Sequence, residues 1–254
     1  MLFRSDITFG GHYAKALEHY HRLRANGVSY EEAVHDTIKV TLEESAGWVS
    51  EHNAKTRENL IRSIVWYLHE FEHDPCTTVM LNDGSPAVEL TFRFELDDEI
   101  VLCGHMDRIV EYSGDHYVQD QKTTGATLGG YYFRRYNPHD QMSLYTIAAK
   151  VVWHQPVHGV MIDAAQIAVG FTRFERGFTF RTPAQNEAWL KDAKYWITRT
   201  WASAEHGYPM NDAACMMYGG CPFRDVCGKD PSVRQEFLET LFDRAPMRNP
   251  LGMQ

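Results

Sequence analysis

The stretch "GHMDRIVEYSGDHYVQDQKTTG", residues 104–125, reads as two short apolar strands joined by a Gly114-Asp115 turn. It carries Asp107 on one strand and Asp120 and Lys122 on the other. Acids are disfavoured in strands, and a buried acid costs free energy unless a cation or hydrogen-bond donors meet it. Strand side chains alternate with period two, so Asp120-Gln121-Lys122 sets a carboxylate and an ammonium on one face. The hairpin then brings Asp107 alongside, leaving a gap between two carboxylates that suits a metal ion. Upstream, "AVELTFRFELDD" alternates Val88, Leu90, Phe92, Phe94 and Leu96 with Glu89, Thr91, Arg93 and Glu95, a strand with one wet face. Glu89 on that face offers a third oxygen ligand.

Such a cluster matches what a hard divalent cation takes: a few carboxylates, waters and substrate phosphate oxygens. Lys122 beside it can orient a water or stabilise charge building on a phosphate. These are parts for metal-assisted phosphodiester hydrolysis. The tripeptide by itself reads more readily as an ion pair at an exposed strand edge. The next helix adds weight to the catalytic reading. Gln141 and Tyr145 stand at i and i+4 on "NPHDQMSLYTIAAKVVW", capped by Asn137 or Asp140, where both can point at the same strand ends.

Three helical segments precede the sheet. "HYAKALEHYHRLRANG" ends on Gly27, and "SYEEAVHDTIKVTLEES" opens with Ser29 and Glu32 at capping-box spacing. "TRENLIRSIVWYLHEFEHDP" repeats apolar residues at helical spacing and stops before Pro75. After the hairpin, "VHGVMIDAAQIAVGFTRFERGFTFRT" gives two strands, the first nearly continuous in apolar residues and therefore central. A helix with Trp189, Trp196 and Trp201 comes next, then a loop-rich tail. The pattern predicts an α/β chain: helices, a mixed sheet, a helix and a cysteine-rich cap.

Composition narrows the class. A net charge of −9 argues against binding nucleic acid by bulk attraction, while leaving room for a local basic groove. No run of about 18 apolar residues predicts a transmembrane helix, and the charged, His-rich start is unlike a secretory leader. Five cysteines without such a leader favour a reducing compartment. The expected location is the cytoplasm.

Taken in order, "GHMDRI", "VQDQKTT" and "QMSLYTIA" resemble the motifs of the PD-(D/E)xK nuclease superfamily, and more closely those of its RecB-like branch, which includes phage exonucleases and CRISPR-associated adaptation nucleases. The similarity runs from about Phe9 to Cys227. It implies a restriction-endonuclease-like core, a central mixed sheet flanked by helices, within one nuclease domain over 1–254. Its expected parts are a helical stretch (1–75), a catalytic sheet core (76–185), and a helix with a cysteine-rich cap (186–254). The resemblance makes Asp107 and Asp120 metal ligands, Lys122 the catalytic lysine and Glu89 the upstream acid. Gln141 and Tyr145 match its QxxxY element, which contacts DNA. The activity implied is cleavage of DNA with Mg²⁺ or Mn²⁺, by an exonuclease acting on ends in recombination, repair or phage replication. A CRISPR-adaptation nuclease, an endonuclease, or a catalytically weak DNA-binding module are the alternatives. A helicase or a single-strand annealing protein, in a bacterial or phage-infected cell, is the protein partner that goes with this reading.

Members often carry Gly, three residues, then a metal-binding His ahead of a Leu-Glu pair. Here, in "FGGHYAKALEHY", that position is Ala14. His12 stands two residues earlier, about 200° around the helix, and is no simple substitute. His12, His19 and His21 read as surface polarity of that helix. In "GGYYFRRYNPH", Arg134 and Arg135 can neutralise phosphates while Tyr131, Tyr132, Phe133 and Tyr136 stack on bases of single-stranded DNA, or the segment is an apolar connection packed under the next helix. In the tail Cys215, Cys221 and Cys227 recur every six residues. They resemble the iron–sulfur clamp of RecB-like nucleases, where a [4Fe–4S] cluster takes four thiolates. The family's first cysteine lies upstream, where "MLFRSDIT" has none, and neither Cys76 nor Cys103 stands in for it. The expectation is an incomplete iron–sulfur site, with zinc or empty thiols as the fallback.

Overall fold

The computed structural model of the chain describes residues 2–216 and 220–245. Three helices come first: α1 (Leu2–Ala25), α2 (Tyr30–Glu44) and α3 (Arg57–Glu70). Gly27, at φ 83, makes the left-handed turn that ends α1. Ser29 accepts from the Glu32 amide and donates to its carboxylate at 2.9 Å, while Thr56 caps α3 by accepting from the Asn59 amide. Each cap satisfies an amide that the first helical turn leaves without a partner.

The sheet then forms around the hairpin. β1 (Thr77–Thr78) and β2 (Val88–Glu95) both pair with β3 (Val101–Tyr112), whose other side pairs antiparallel with β4 (Asp115–Thr124). The turn residues are Ser113 and Gly114, at φ 53 and 86, and Tyr112 pairs with Asp115. A two-residue hairpin loop needs two left-handed residues to match strand twist. The turn therefore lies one residue before the expected Gly114-Asp115, and Asp115 opens β4.

From β4 the chain crosses through α4 (Gly130–Arg134) and α5 (Asp140–Trp153) to β5 (Gly159–Ile167), which runs parallel to β4. β5 is buried at every position, as its apolar run predicts. β6 (Thr172–Thr179) pairs antiparallel with β5 at the far edge. α5 covers one face of the sheet, over Phe92, Ile109, Val118 and Ile162. α1 and α3 cover the other, with Leu17, Leu60 and Ile64 packed on Ile167. This is the central mixed sheet flanked by helices.

α6 (Pro183–His206) comes next, opened by a complete capping box at Thr182 and Gln185, then α7 (Arg224–Cys227) and α8 (Arg234–Leu241). The cap of α5 corrects the sequence reading, since its N-cap is His139 and neither Asn137 nor Asp140. Asp140 is instead the first helical residue, where a carboxylate favours the helix dipole, and it accepts a hydrogen bond from Trp189 Nε1 at 2.9 Å. No helix among the described residues is long and apolar enough to cross a membrane.

Candidate active site

The hairpin register decides the geometry. Arg108 pairs with Gln119 as the last rung of the β3–β4 ladder, and Asp107 and Asp120 are the next residues on the two strands, close enough for the Asp120 charge to act on Asp107. Asp120 is 1% exposed, and Lys122 Nζ stands 2.9 and 2.7 Å from its two oxygens. The same ammonium donates to Gln141 Oε1 at 3.1 Å, and Gln141 Nε2 donates to the Tyr145 hydroxyl at 2.8 Å. Strand β4 and helix α5 are thus joined by a continuous line, Asp120–Lys122–Gln141–Tyr145. The i, i+4 spacing that set Gln141 and Tyr145 on one face is what lets the amide bridge the two. Burial, with Asp120 and Asp107 close by, pushes the Tyr145 phenol up, so it keeps its proton.

Asp107 accepts from the Gln121 amide at 2.7 Å. Burial and then the Asp120 charge push its carboxyl up to about 7, against the pull of that amide and of Lys122. Burial raises Asp120 as well, with Lys122 opposing. Two neighbouring carboxylates share one ammonium, so the pair is short of positive charge.

β2 departs from regular geometry here. Val88 pairs with Arg108 and Leu90 with Met106, leaving Glu89 opposite Asp107 at φ 52. Met106 and Ile109 both lie in the core under α5 although they are three apart, so the alternation of β3 breaks between them. A non-glycine residue at such a φ costs on the order of 1–3 kcal/mol and is held only by its surroundings. The kink turns Glu89 toward α1. There it lines a cavity of about 10 Å³ with Ala14, Glu18, His21 and Asp107. Burial and the nearby Glu18 raise the Glu89 carboxyl.

Several neighbours of this cluster went unread in the sequence. Glu18 stands one helical turn after Ala14 and faces the same cavity. His105 Nδ1 sits 3.0 Å from Thr91 Oγ1 and 4.0 Å from Glu89 Oε1. His139, the N-cap of α5, feels both Lys122 and Asp120, and burial first, then Lys122, holds its imidazole below the usual range. Cross-strand pairing of Thr91 with His105 was the one signal available for the second of these.

The reading of the histidines is corrected, and the aromatic run divides between its two readings. His21 is 4% exposed and bonded to Arg108, so it is not surface polarity; His19 pairs with Asp36 at 2.9 Å and His12 tilts against Trp48. Of the aromatic run, Tyr132 and Tyr136 are buried and hydrogen-bond each other at 3.0 Å, and Phe133 packs against the core; only Tyr131 is open to a base. Arg134 and Arg135 remain exposed, with Arg135 stacked 4.3 Å from the Tyr132 ring centroid. Lastly, Cys215, Cys221 and Cys227 are half-buried free thiols. Among the described residues no three His, Cys, Asp or Glu side chains gather closely enough to hold a metal ion, in the tail or at the hairpin. At the hairpin this is compatible with a hard cation, which keeps several waters and takes only one or two carboxylates.

The chain belongs to the PD-(D/E)XK nuclease superfamily, whose family model matches residues 4–228. No curated protein matches it. Members are metal-dependent nucleases acting on DNA, generally with Mg²⁺ or Mn²⁺, and the mixed sheet with its helical N-terminal part is their restriction-endonuclease-like fold.

Proposed function

We propose that the protein is a Mg²⁺- or Mn²⁺-dependent exonuclease that hydrolyses phosphodiesters at DNA ends. The observation carrying this reading is the line from Asp120 through Lys122 and Gln141 to Tyr145, set against Asp107 across the hairpin. The donor set fits a divalent cation: two neighbouring carboxylates short of positive charge, with Glu89 lining the same small cavity as Asp107. Asp107 and Asp120 would hold the metal, with Glu89 beside them, and when bound it supplies Lewis acidity and a more acidic water. In hydrolysis a water oxygen bonds to phosphorus, the bond to the leaving sugar oxygen breaks, and that oxygen takes up a proton. Lys122 is placed to meet charge growing on the phosphate, while Gln141 fixes the ammonium and Tyr145 keeps a proton to donate. Exposed Arg134, Arg135 and Tyr131 would track the backbone and a terminal base.

The test is incubation of purified protein with end-labelled linear and with circular DNA, single- and double-stranded, with and without Mn²⁺. Metal-dependent release of labelled nucleotides from linear DNA alone is expected. Cuts in circular DNA would make it an endonuclease, and retention of DNA without any cleavage would leave a binding module.

For the tail, the six-residue spacing of half-buried thiols supports a structural iron–sulfur or zinc site that assembles on loading, since metal binding and local folding are coupled. Anaerobic preparation should give a brown protein, and Cys221→Ser should bleach it and lower its melting temperature. Colourless protein with neither iron nor zinc by elemental analysis would overturn this assignment.

A further inference from the structure

His21 is buried in α1, and the hairpin chemistry gives it no task. Its Nδ1 is bonded to Arg108 Nη1, and Arg108 is itself buried on β3 next to Asp107. A guanidinium only donates, so Nδ1 must be the acceptor and the ring proton must sit on Nε2. That Nε2–H is buried and has no hydrogen-bond partner in the protein. A buried donor left without an acceptor costs about 1–3 kcal/mol, so it points to something that completes it. His21 lines the same cavity as Glu89 and Asp107, and the volume of about 10 Å³ is that of a single water.

We infer that His21 is a positioning residue for the catalytic carboxylates: its Nε2–H donates to one ordered water in this cavity, and that water donates in turn to Asp107 or Glu89. The chain Arg108–His21–water–carboxylate fixes the direction of the acid lone pairs from the α1 side, where Ala14 contributes no polar group. As an N–H donor in this tautomer, His21 cannot ligate a metal itself. Burial, with Arg108 and Arg176 nearby, lowers the pKa of the imidazole and favours its neutral form. The inference rests on the hydrolytic reading of the hairpin, but it is tested without cleavage.

Long-range ¹H–¹⁵N correlation spectra of the labelled protein should show His21 neutral and protonated at Nε2. A ring protonated at Nδ1 would overturn the inference outright. Mn²⁺ affinity, followed by electron paramagnetic resonance, gives the second readout. Outer partners of metal ligands typically change affinity by about 10–100-fold, so His21→Met should weaken Mn²⁺ binding by at least about 10-fold. His21→Gln can accept from Arg108 with its carbonyl and donate into the cavity with its amide, and should stay within about 3-fold of wild type. Equal affinity in a folded His21→Met protein, or equal loss in both variants, would refute the positioning role. Should His21→Met fail to fold, the tautomer and the Gln variant decide. Failure of the nuclease reading would instead show as unchanged Mn²⁺ affinity in Asp120→Ala.

Discussion

Asp107→Asn should abolish DNA cleavage and at the same time raise the melting temperature of the metal-free protein. Both effects stem from one property. Asp107 is held beside Asp120 in a buried hairpin, and its carboxyl is pushed up to about 7, mainly by burial and then by Asp120. Its ordinary value is 3.8, so the folded chain holds a proton that the unfolded chain releases. Stability from this group is present in full below about pH 4 and is lost as pH rises through about 7. At pH 8 the native protein carries an unwanted charge, at a cost on the order of 1–3 kcal/mol for a pair this coupled. The asparagine carries no charge and can still accept from the Gln121 amide. The variant should therefore melt a few degrees higher than wild type at pH 8, with the gap closing toward pH 4, and Mn²⁺ should stabilise wild type but not the variant. Cleavage should fall by at least about 10³-fold, because a cation site that keeps few carboxylates depends on each. A variant that melts lower than wild type at pH 8 would contradict the strain assigned to this pair, and wild-type cleavage would remove Asp107 from the site.

Period-two alternation made this part of the protein legible. It set Asp120 and Lys122 on one face, and the helical i, i+4 spacing set Gln141 beside Tyr145. Both rules are local, and nothing distant overrode them. The break in β2 was not legible, because Val88, Leu90 and Phe92 alternate in sequence like an unbroken strand and all three are buried, yet the backbone inverts at Glu89 and sends Val88 to the α1 side and Leu90 and Phe92 to the core under α5. The aromatic run misled for a different reason. Its first part forms a short helix continued by a turn, so Tyr132 in the helix and Tyr136 in the turn point inward together, leaving Tyr131 outside. His21 looked like helix surface because its partner Arg108 lies 87 residues away. Likewise Asp163 was hidden in an apolar strand, because the cation that meets it, Arg176, comes from β6 and the hydroxyl beside it, Tyr67, from α3.

Arg176→Met, which strips the cation from that hidden cluster, should destabilise the protein by about 3–5 kcal/mol, since breaking a buried pair from one side typically costs that much. Asp163 is 3% exposed and accepts from Tyr67 Oη at 2.6 Å, Gln119 Nε2 at 2.8 Å and Arg176 Nη2 at 3.2 Å. The same guanidinium binds both oxygens of Asp74, at 2.6 and 2.8 Å, and stacks 3.9 Å from the Phe71 ring centroid. Burial works to raise the Asp74 carboxyl, yet Arg176 holds it below the usual range. Arg176 is thus the near cation for both carboxylates on the sheet face that α1 and α3 cover, with Arg108 adding a longer contact to Asp74 at 3.7 Å. Methionine keeps much of the packing and removes the charge, leaving Asp163 without a cation and Asp74 with only the more distant Arg108, at 3.7 Å. For a chain of this length, the loss is a fall of roughly 10 °C in melting temperature. The sign with pH comes from the same charges. In wild type Arg176 holds the Asp74 carboxyl below its usual range, and without that cation it rises, so the deficit should be smallest in acid and grow as pH rises through the carboxylate range. Asp163→Asn added to Arg176→Met should recover part of the loss, because Tyr67 and Gln119 still donate to the amide oxygen while one buried charge is gone. A single variant within about 1 kcal/mol of wild type at pH 8, by denaturant titration, would show that water rather than Arg176 compensates these acids.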